Sequence, residues 1–368
     1  MEKLKLLSPL VAAQVNYVLT HSEIPVKVEE IWCSGKQSAD DRLSLMIPFC
    51  LDYIKWDLIF NNNNSKPPDF IFSQEDDPFF FVDDSTELTL SRWNSNDPSS
   101  LFRILNHLRV LYNLYQRNKV SRLDDDRLQF EISTIHQREG IQVCMTSGSD
   151  KVDEVKFAVP LLDTDLNKLV HGCPWKHQQK IYLQVIFPIR RKYSSAPAAP
   201  RIKLVCSSEL KSLFSIEDVK LPPWLDGMCL AEYLPIIEDN LMSQIVEAVA
   251  SIGCRRRFIE GLTHLFGRPL EADPVFCRKA TFFASSGVFA FLVHLSLSTQ
   301  FPKQQPVLVL QSSQHFNSQG IPVMYPPLVD YPWSPRWDEA KMAERIFEFL
   351  AEECTEFKRY CNDHNTSK

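Results

Sequence analysis

Glycine is scarce in this chain, with 10 among 368 residues. Loops that wrap a phosphate need a backbone free of Cβ atoms. No G-x-x-x-x-G-K-[ST], G-x-G-x-x-G or G-x-S-x-G occurs, which argues against a nucleotide-cradling loop and a serine-nucleophile elbow. No two histidines stand one residue apart, so the His-x-His pair of a zinc-activated water is missing too. The 10 cysteines never fall into C-x-x-C. Scattered thiols, and a start that does not read basic-then-apolar as a secretory signal does, fit cytosol or nucleus better than a disulfide framework. Positive charge is not in excess: the formal net charge is −6, which gives no general attraction for nucleic-acid phosphates. The short basic runs Arg190-Arg191-Lys192 and Arg255-Arg256-Arg257 read as solvated surface.

One uncharged stretch, Ala280 to Phe301, is long enough to span a bilayer. Its apolar residues alternate, however: Phe289, Phe291, Val293, Leu295 and Leu297. That period belongs to a strand, and Ser286-Gly287 supplies a hairpin turn. The segment therefore reads as two strands of a sheet, and no membrane span is expected. With 44% hydrophobic residues, the chain can bury cores for roughly two or three domains.

What the sequence does contain is a pattern written three times. An alternating strand runs into a proline-containing loop and then a second short apolar strand. The first copy is Ile54–Phe60, then Lys66-Pro67-Pro68, then Asp69–Phe72. The second is Ile181–Pro188, a Ser/Ala/Pro loop ending at Pro200, then Ile202–Val205. The third is Phe291–Leu297, Phe301-Pro302 and Gln305-Pro306, then Val307–Leu310. An earlier strand recurs as Leu45-Met46-Ile47-Pro48-Phe49 and Phe157-Ala158-Val159-Pro160-Leu161.

Helical stripes flank the outer copies: Leu7 to Leu19, broken by Gln14; Leu101 to Tyr115, capped at Asp97 or Ser99; and Met342 to Phe357, capped at Asp338. Two further helical stretches, around Leu241–Val249 and Phe258–Phe266, precede the third copy, the second ending at Gly267. The middle copy has no obvious long helix; it either borrows the one around Leu241 or is a reduced unit. The expected class is α+β, with domains at 1–120, 121–230 and 231–368.

These residues resemble the ubiquitin-conjugating fold, in which a helix precedes a four-stranded meander and the loop before the fourth strand reads Phe-Pro-x-x-x-Pro-Pro. Lys66-Pro67-Pro68-Asp69-Phe70-Ile71-Phe72 and Phe301-Pro302-Lys303-Gln304-Gln305-Pro306 look like that loop. The chain more closely resembles the BRE family. The likeness rests on Lys55-Trp56-Asp57, Ile59-Phe60-Asn61, Pro67–Phe72, Trp93-Asn94, Phe291–His294, Gln311-Ser312, His315-Phe316 and above all Tyr331-Pro332-Trp333-Ser334-Pro335-Arg336-Trp337-Asp338. It covers nearly the whole chain and is weakest between about Gly140 and Cys229. The Asn61–Asn64 run and the Ser194–Pro200 loop depart from it.

The resemblance implies tandem ubiquitin-conjugating-variant (UEV/RWD-like) domains. It also implies an adaptor of a JAMM-type, BRISC-like deubiquitinase complex that cuts lysine-sixty-three type ubiquitin chains. Its implied partners are the JAMM metalloprotease subunit, an Abraxas-like scaffold, a von Willebrand-A-type subunit and a serine hydroxymethyltransferase, in cytoplasm and nucleus. The alternative is a direct ubiquitin reader.

A conjugating enzyme needs a thiolate after the fourth strand, with an asparagine near it. None stands between Ser73 and Leu101 or between Gln311 and Asp338. Cys206 lies within a predicted strand and Cys229 well beyond it, so each copy reads as thioester-incompetent and no catalytic residue is expected. His171, Cys173 and His177, and Cys354, Cys361 and His364, have metal-like spacing but lack a clear fourth ligand. They read as chance neighbours, and neither metal nor cofactor is expected. His294, on the even side of its strand, reads as a polar contact. Two aromatic groups remain as candidate partner surfaces. One is Tyr325, Pro326, Pro327, Tyr331, Pro332, Trp333 and Trp337; the other is Phe79, Phe80 and Phe81. The competing readings are that the first pins the last helix to its sheet and that the second packs across a sheet edge.

Overall fold

The computed structural model describes residues 7–22, 24–32, 41–61, 66–73, 76, 79, 90–135, 137–148, 151–162, 165–170, 172–173, 175, 179–189 and 199–365. The chain divides into two compact units. One contains residues 1–162, 180–206 and 222–236; the other contains 163–179, 207–221 and 237–368.

The first unit opens with α1 (Pro9–His21), whose buried face is Val11, Gln14, Val15 and Val18. Gln14 interrupts the apolar stripe, and its amide nitrogen is satisfied by donating to the Ser95 carbonyl at 3.1 Å. A four-stranded antiparallel meander follows: β1 (Lys27–Trp32), β2 (Asp41–Phe49), β3 (Asp52–Phe60) and β4 (Asp69–Ile71). Next come α2 (Ser100–Ser121) and α3 (Asp126–Ile135), and then a second meander. Its strands are β5 (Gln142–Gly148), β6 (Lys151–Leu161), β7 (Ile181–Pro188) and β8 (Arg201–Cys206). Strand β7 buries alternate residues Ile181, Leu183, Val185 and Phe187, as its period demands.

The recurring prolines have one explanation. Pro48 lies beyond Met46, the last β2 residue that β1 pairs on that side, and Pro160 lies beyond Ala158, the last β6 residue that β5 pairs. Each interior strand has outrun its outer neighbour, so the missing N–H costs no ladder bond.

Among the described residues the second meander has no long helix of its own; it leans on α2. Arg117 and Asn113 donate to the Ile141 carbonyl at 2.8 and 3.4 Å, and the Met145 N–H reaches the Gln116 side chain at 3.5 Å. The core of the first meander accordingly continues through α2 residues Leu101, Ile104, Leu105, Leu108 and Tyr112 to Ala158 of β6. Asp97 shapes the start of α2: its carboxylate accepts from the Ser99 N–H and hydroxyl and pairs with Arg103.

The turn between β2 and β3 is unusual. Phe49 pairs with Asp52, leaving a two-residue loop of Cys50 and Leu51 at φ 50° and 65°. Such turns favour Asn-Gly, since a left-handed non-glycine residue costs roughly 1–2 kcal/mol.

The second unit is built around a five-stranded antiparallel sheet in the order β13-β12-β11-β10-β9. Its strands are β9 (Glu271–Ala272), β10 (Lys279–Ser286), β11 (Phe289–Ser296), β12 (Val307–Phe316) and β13 (Pro322–Met324). The stretch from Ala280 to Phe301 is thus the expected hairpin, with Ser286 pairing Phe289 across Gly287-Val288 and Gly287 at φ 61°. Among the described residues no helix is long and apolar enough to cross a membrane.

A short α4 (Leu166–Leu169) also belongs to this unit. The two helical stretches expected before the third copy are one 37-residue helix, α5 (Leu230–Phe266), with Pro235 near its start; residues 237–266 lie in this unit. Gly253 does not end it, because a glycine costs only about 1 kcal/mol in a helix interior. Gly267, at φ 86° with its N–H on the Thr263 carbonyl, caps the end as expected. The last helix is α6 (Glu339–Asn365). It buries Met342, Ala343, Ile346, Leu350, Cys354, Phe357 and Cys361, and each large side chain contributes about 1.5–3 kcal/mol.

Arg255 corrects the surface reading of the basic triplet. It is fully buried within the second unit, donating Nε to the Phe276 carbonyl and Nη1 to Ser251 at 2.8 Å each. Burial and the neighbouring Arg278 push its pKa down. Arg256 is exposed, and Arg257 pairs with Glu339.

Candidate interaction surface

The aromatic–proline segment after β13 lies against the sheet and α6. Tyr331 is buried, stacks on Phe349 with centroids 5.1 Å apart, and donates its hydroxyl to the Pro306 carbonyl. Burial raises its pKa, so the phenol stays a donor. The indole N–H of Trp333 donates to the Pro302 carbonyl at 2.9 Å, and its ring meets Phe258, Phe301 and Trp337. Trp337 also lies under the Arg345 guanidinium, 5.9 Å from the ring centroid. Tyr325 packs on Phe357 and Tyr360 at 5.5 and 5.0 Å.

The rings of this segment therefore tie the Pro302–Pro306 loop and α6 together, leaving Pro326, Pro327 and Pro332 outward. In the first unit Phe79 is buried among Trp56, Phe72, Tyr112 and Tyr115. Phe80 and Phe81 lie outside the described residues.

On β11 of the second unit's sheet, His294 is held between Thr281 (3.1 Å) and Gln311 (2.8 Å), a polar contact as its even position indicates. Among the described residues no group of three His, Cys, Asp or Glu side chains gathers around a metal-sized space. His171 and His177 fall outside those residues. Cys206 is the last residue of β8, and Cys229 immediately precedes α5.

A concave surface of the second unit was not read as a site from the sequence. The end of α5, the β10–β11 hairpin and α6 enclose a groove of about 400 Å³. Phe266 forms part of its wall, meeting Phe282 and Phe347 at 5.7 and 5.1 Å. Phe283 and Phe347 remain 48% and 39% exposed beside it, and the serines 285 and 286 supply the polar lining. No acidic or basic side chain lines it, and its one thiol, Cys354, is buried. Lined by apolar side chains, two serine hydroxyls and one buried thiol, this groove suits an apolar segment.

The signal for Phe283 was present in the Phe282-Phe283 pair, since neighbouring strand residues point to opposite faces. That for Phe347 was hidden because it flanks the main apolar stripe of α6.

Comparison with known proteins agrees along the length of the chain. The family model described as "Brain and reproductive organ-expressed protein (BRE)" matches residues 5–316. A relative from Branchiostoma floridae, "BRISC and BRCA1-A complex member 2", is 28% identical over 380 residues, covering 97% of this chain and 96% of the relative. A Danio rerio protein of the same name is 28% identical over 318 residues, covering 83% of this chain and 80% of its own length.

Proposed function

This chain belongs to the BRE family, and from that premise we propose that it is a non-catalytic subunit of a BRISC- or BRCA1-A-type complex. The observation that carries the reading is the end-to-end match to a relative named as a member of both complexes. Geometry supports it on a second line: the groove in the second unit is apolar, aromatic-rimmed and free of ionisable side chains other than a buried thiol, a surface suited to holding a partner.

In finer terms, the chain is an adaptor of UEV-like meanders. It bridges a von Willebrand-A-type subunit to a JAMM metalloprotease and its Abraxas-like scaffold, in cytoplasm and nucleus, while the metalloprotease cuts lysine-sixty-three type ubiquitin chains. A serine hydroxymethyltransferase joins the cytoplasmic form. The proline-interrupted meander written three times supports the UEV-like description.

Co-expression with the metalloprotease, Abraxas-like and von Willebrand-A-type subunits tests the proposal. All four are expected to co-elute, through an interface above about 1,000 Å². A chain that elutes alone beside an assembled remainder refutes it.

A further inference from the structure

Two cysteines of the first unit meet across the space between its two meanders. Cys50 sits in the left-handed turn joining β2 to β3. Its N–H donates to the Gln142 side-chain oxygen at 2.6 Å, so the Gln142 side chain faces that turn. Cys144 follows two residues later on β5, and side chains two apart on a strand share a face. Cys144 therefore faces the turn as well.

The sulfur of Cys50 confirms the approach, lying 3.3 Å from the Lys156 carbonyl, and Lys156 is the residue that β6 pairs directly with Cys144. The Lys156 ammonium is on the same face, 3.8 Å from Asp52. Cys50 is buried and Cys144 half-buried, and both are free thiols.

We propose that Cys50 and Cys144 are a peroxide-sensitive dithiol, oxidation of which ties the β2–β3 turn to β5 by a disulfide.

The two sulfurs divide the chemistry. The neighbouring Cys50 side chain, and after it the Lys156 charge, hold the Cys144 pKa below its ordinary value against the opposing effect of burial. Burial, with the neighbouring Cys144 side chain, pushes Cys50 up. Cys144 is thus the attacking thiolate and Cys50 the resolving thiol.

In the first step the Cys144 sulfur attacks one oxygen of hydrogen peroxide. An S–O bond forms, the O–O bond breaks and hydroxide leaves, giving a sulfenic acid. Cys50 then attacks that sulfur. The S–S bond forms, the S–O bond breaks, and the hydroxyl departs as water with the Cys50 proton. The hydroxide takes up the proton first lost by Cys144. Two thiols and one peroxide become one disulfide and two waters. The strained turn has a use here, since its left-handed Cys50 carries the sulfur to the second meander.

The test treats the full-length protein with micromolar hydrogen peroxide, blocks remaining thiols with iodoacetamide and maps disulfides by mass spectrometry. The expected result is a Cys50–Cys144 linked peptide that dithiothreitol abolishes. Cys254, whose pKa burial and Glu339 raise to about 11, is expected to remain a thiol. In the Cys50→Ser variant, dimedone is expected to trap a sulfenic acid on Cys144. Where that variant fails to fold, dimedone added to the wild-type protein during oxidation reads the same intermediate. Both thiols unchanged while other cysteines oxidise, or Cys144 passing to sulfinic acid without joining Cys50, overturns the proposal.

Discussion

Replacing Phe347 or Phe283 by alanine tests the groove as a binding surface. A phenylalanine side chain can bury about 200 Å². With 39% and 48% of their surface still open, about 80–100 Å² of each remains for a partner to cover. At about 25 cal/mol per Å² that is about 2 kcal/mol per ring, or roughly 30-fold in Kd. Truncation also costs the fold: the part of each ring already buried, about 100–120 Å², is worth about 2.5–3 kcal/mol at the same coefficient, and Phe347 loses its edge contact with Phe266 at 5.1 Å as well.

The assay is isothermal titration of each variant with the subunit assembly that co-purifies with the wild-type chain, alongside a urea melt of the free protein. Affinity is expected to fall about 30-fold under conditions where the melt shows the variant still folded, and the urea midpoint to drop in proportion to the area each ring buries in the free protein. If both variants bind within a factor of two of wild type, the groove is not a contact surface and the area argument fails.

Phe357→Ala is the opposite case. The ring is fully buried and meets Phe289, Phe291 and Tyr325, so a loss of about 3–5 kcal/mol is expected in denaturant unfolding; a loss under about 1 kcal/mol would contradict the packing described. Asp97 provides a pH test. The Ser99 hydroxyl and N–H and the Arg103 guanidinium hold its carboxyl down to about 2. Because the folded value lies below the unfolded one near about 3.9, its stabilisation of the α2 start is fully present above the unfolded value and disappears as pH falls through the folded one. An NMR titration of the side-chain carboxyl is expected to show a midpoint near 2, and a midpoint near 4 would refute the anchoring.

The meanders were legible in the sequence because a period of two survives without tertiary information. Phe289, Phe291, Val293 and Leu295 alternate on paper as they do in burial. The aromatic segment 331–337 was legible as important, but its competing roles required knowing where the indole N–H of Trp333 finds an acceptor. Arg255 could not be read correctly: its charge predicts water, and the acceptors that accompany its burial, the Ser251 hydroxyl and the Phe276 carbonyl, are brought to it by the fold. The groove was invisible for a related reason. It exists where three elements far apart in sequence meet, and no local pattern encodes that. The continuity of α5 was not read because its two apolar stretches, Leu241–Val249 and Phe258–Phe266, are separated by the polar run Arg255-Arg256-Arg257.

Because α2 carries the first meander on one flank and holds the second through Ile141 and Met145, the two slabs share a single spine. A protease nick in the strap around residue 122, or a truncation that sheds one slab, strips cladding from the spine on which the other depends. Damage to either half is therefore felt by both, and a cell that trims this protein there inherits an unstable remnant rather than a working half.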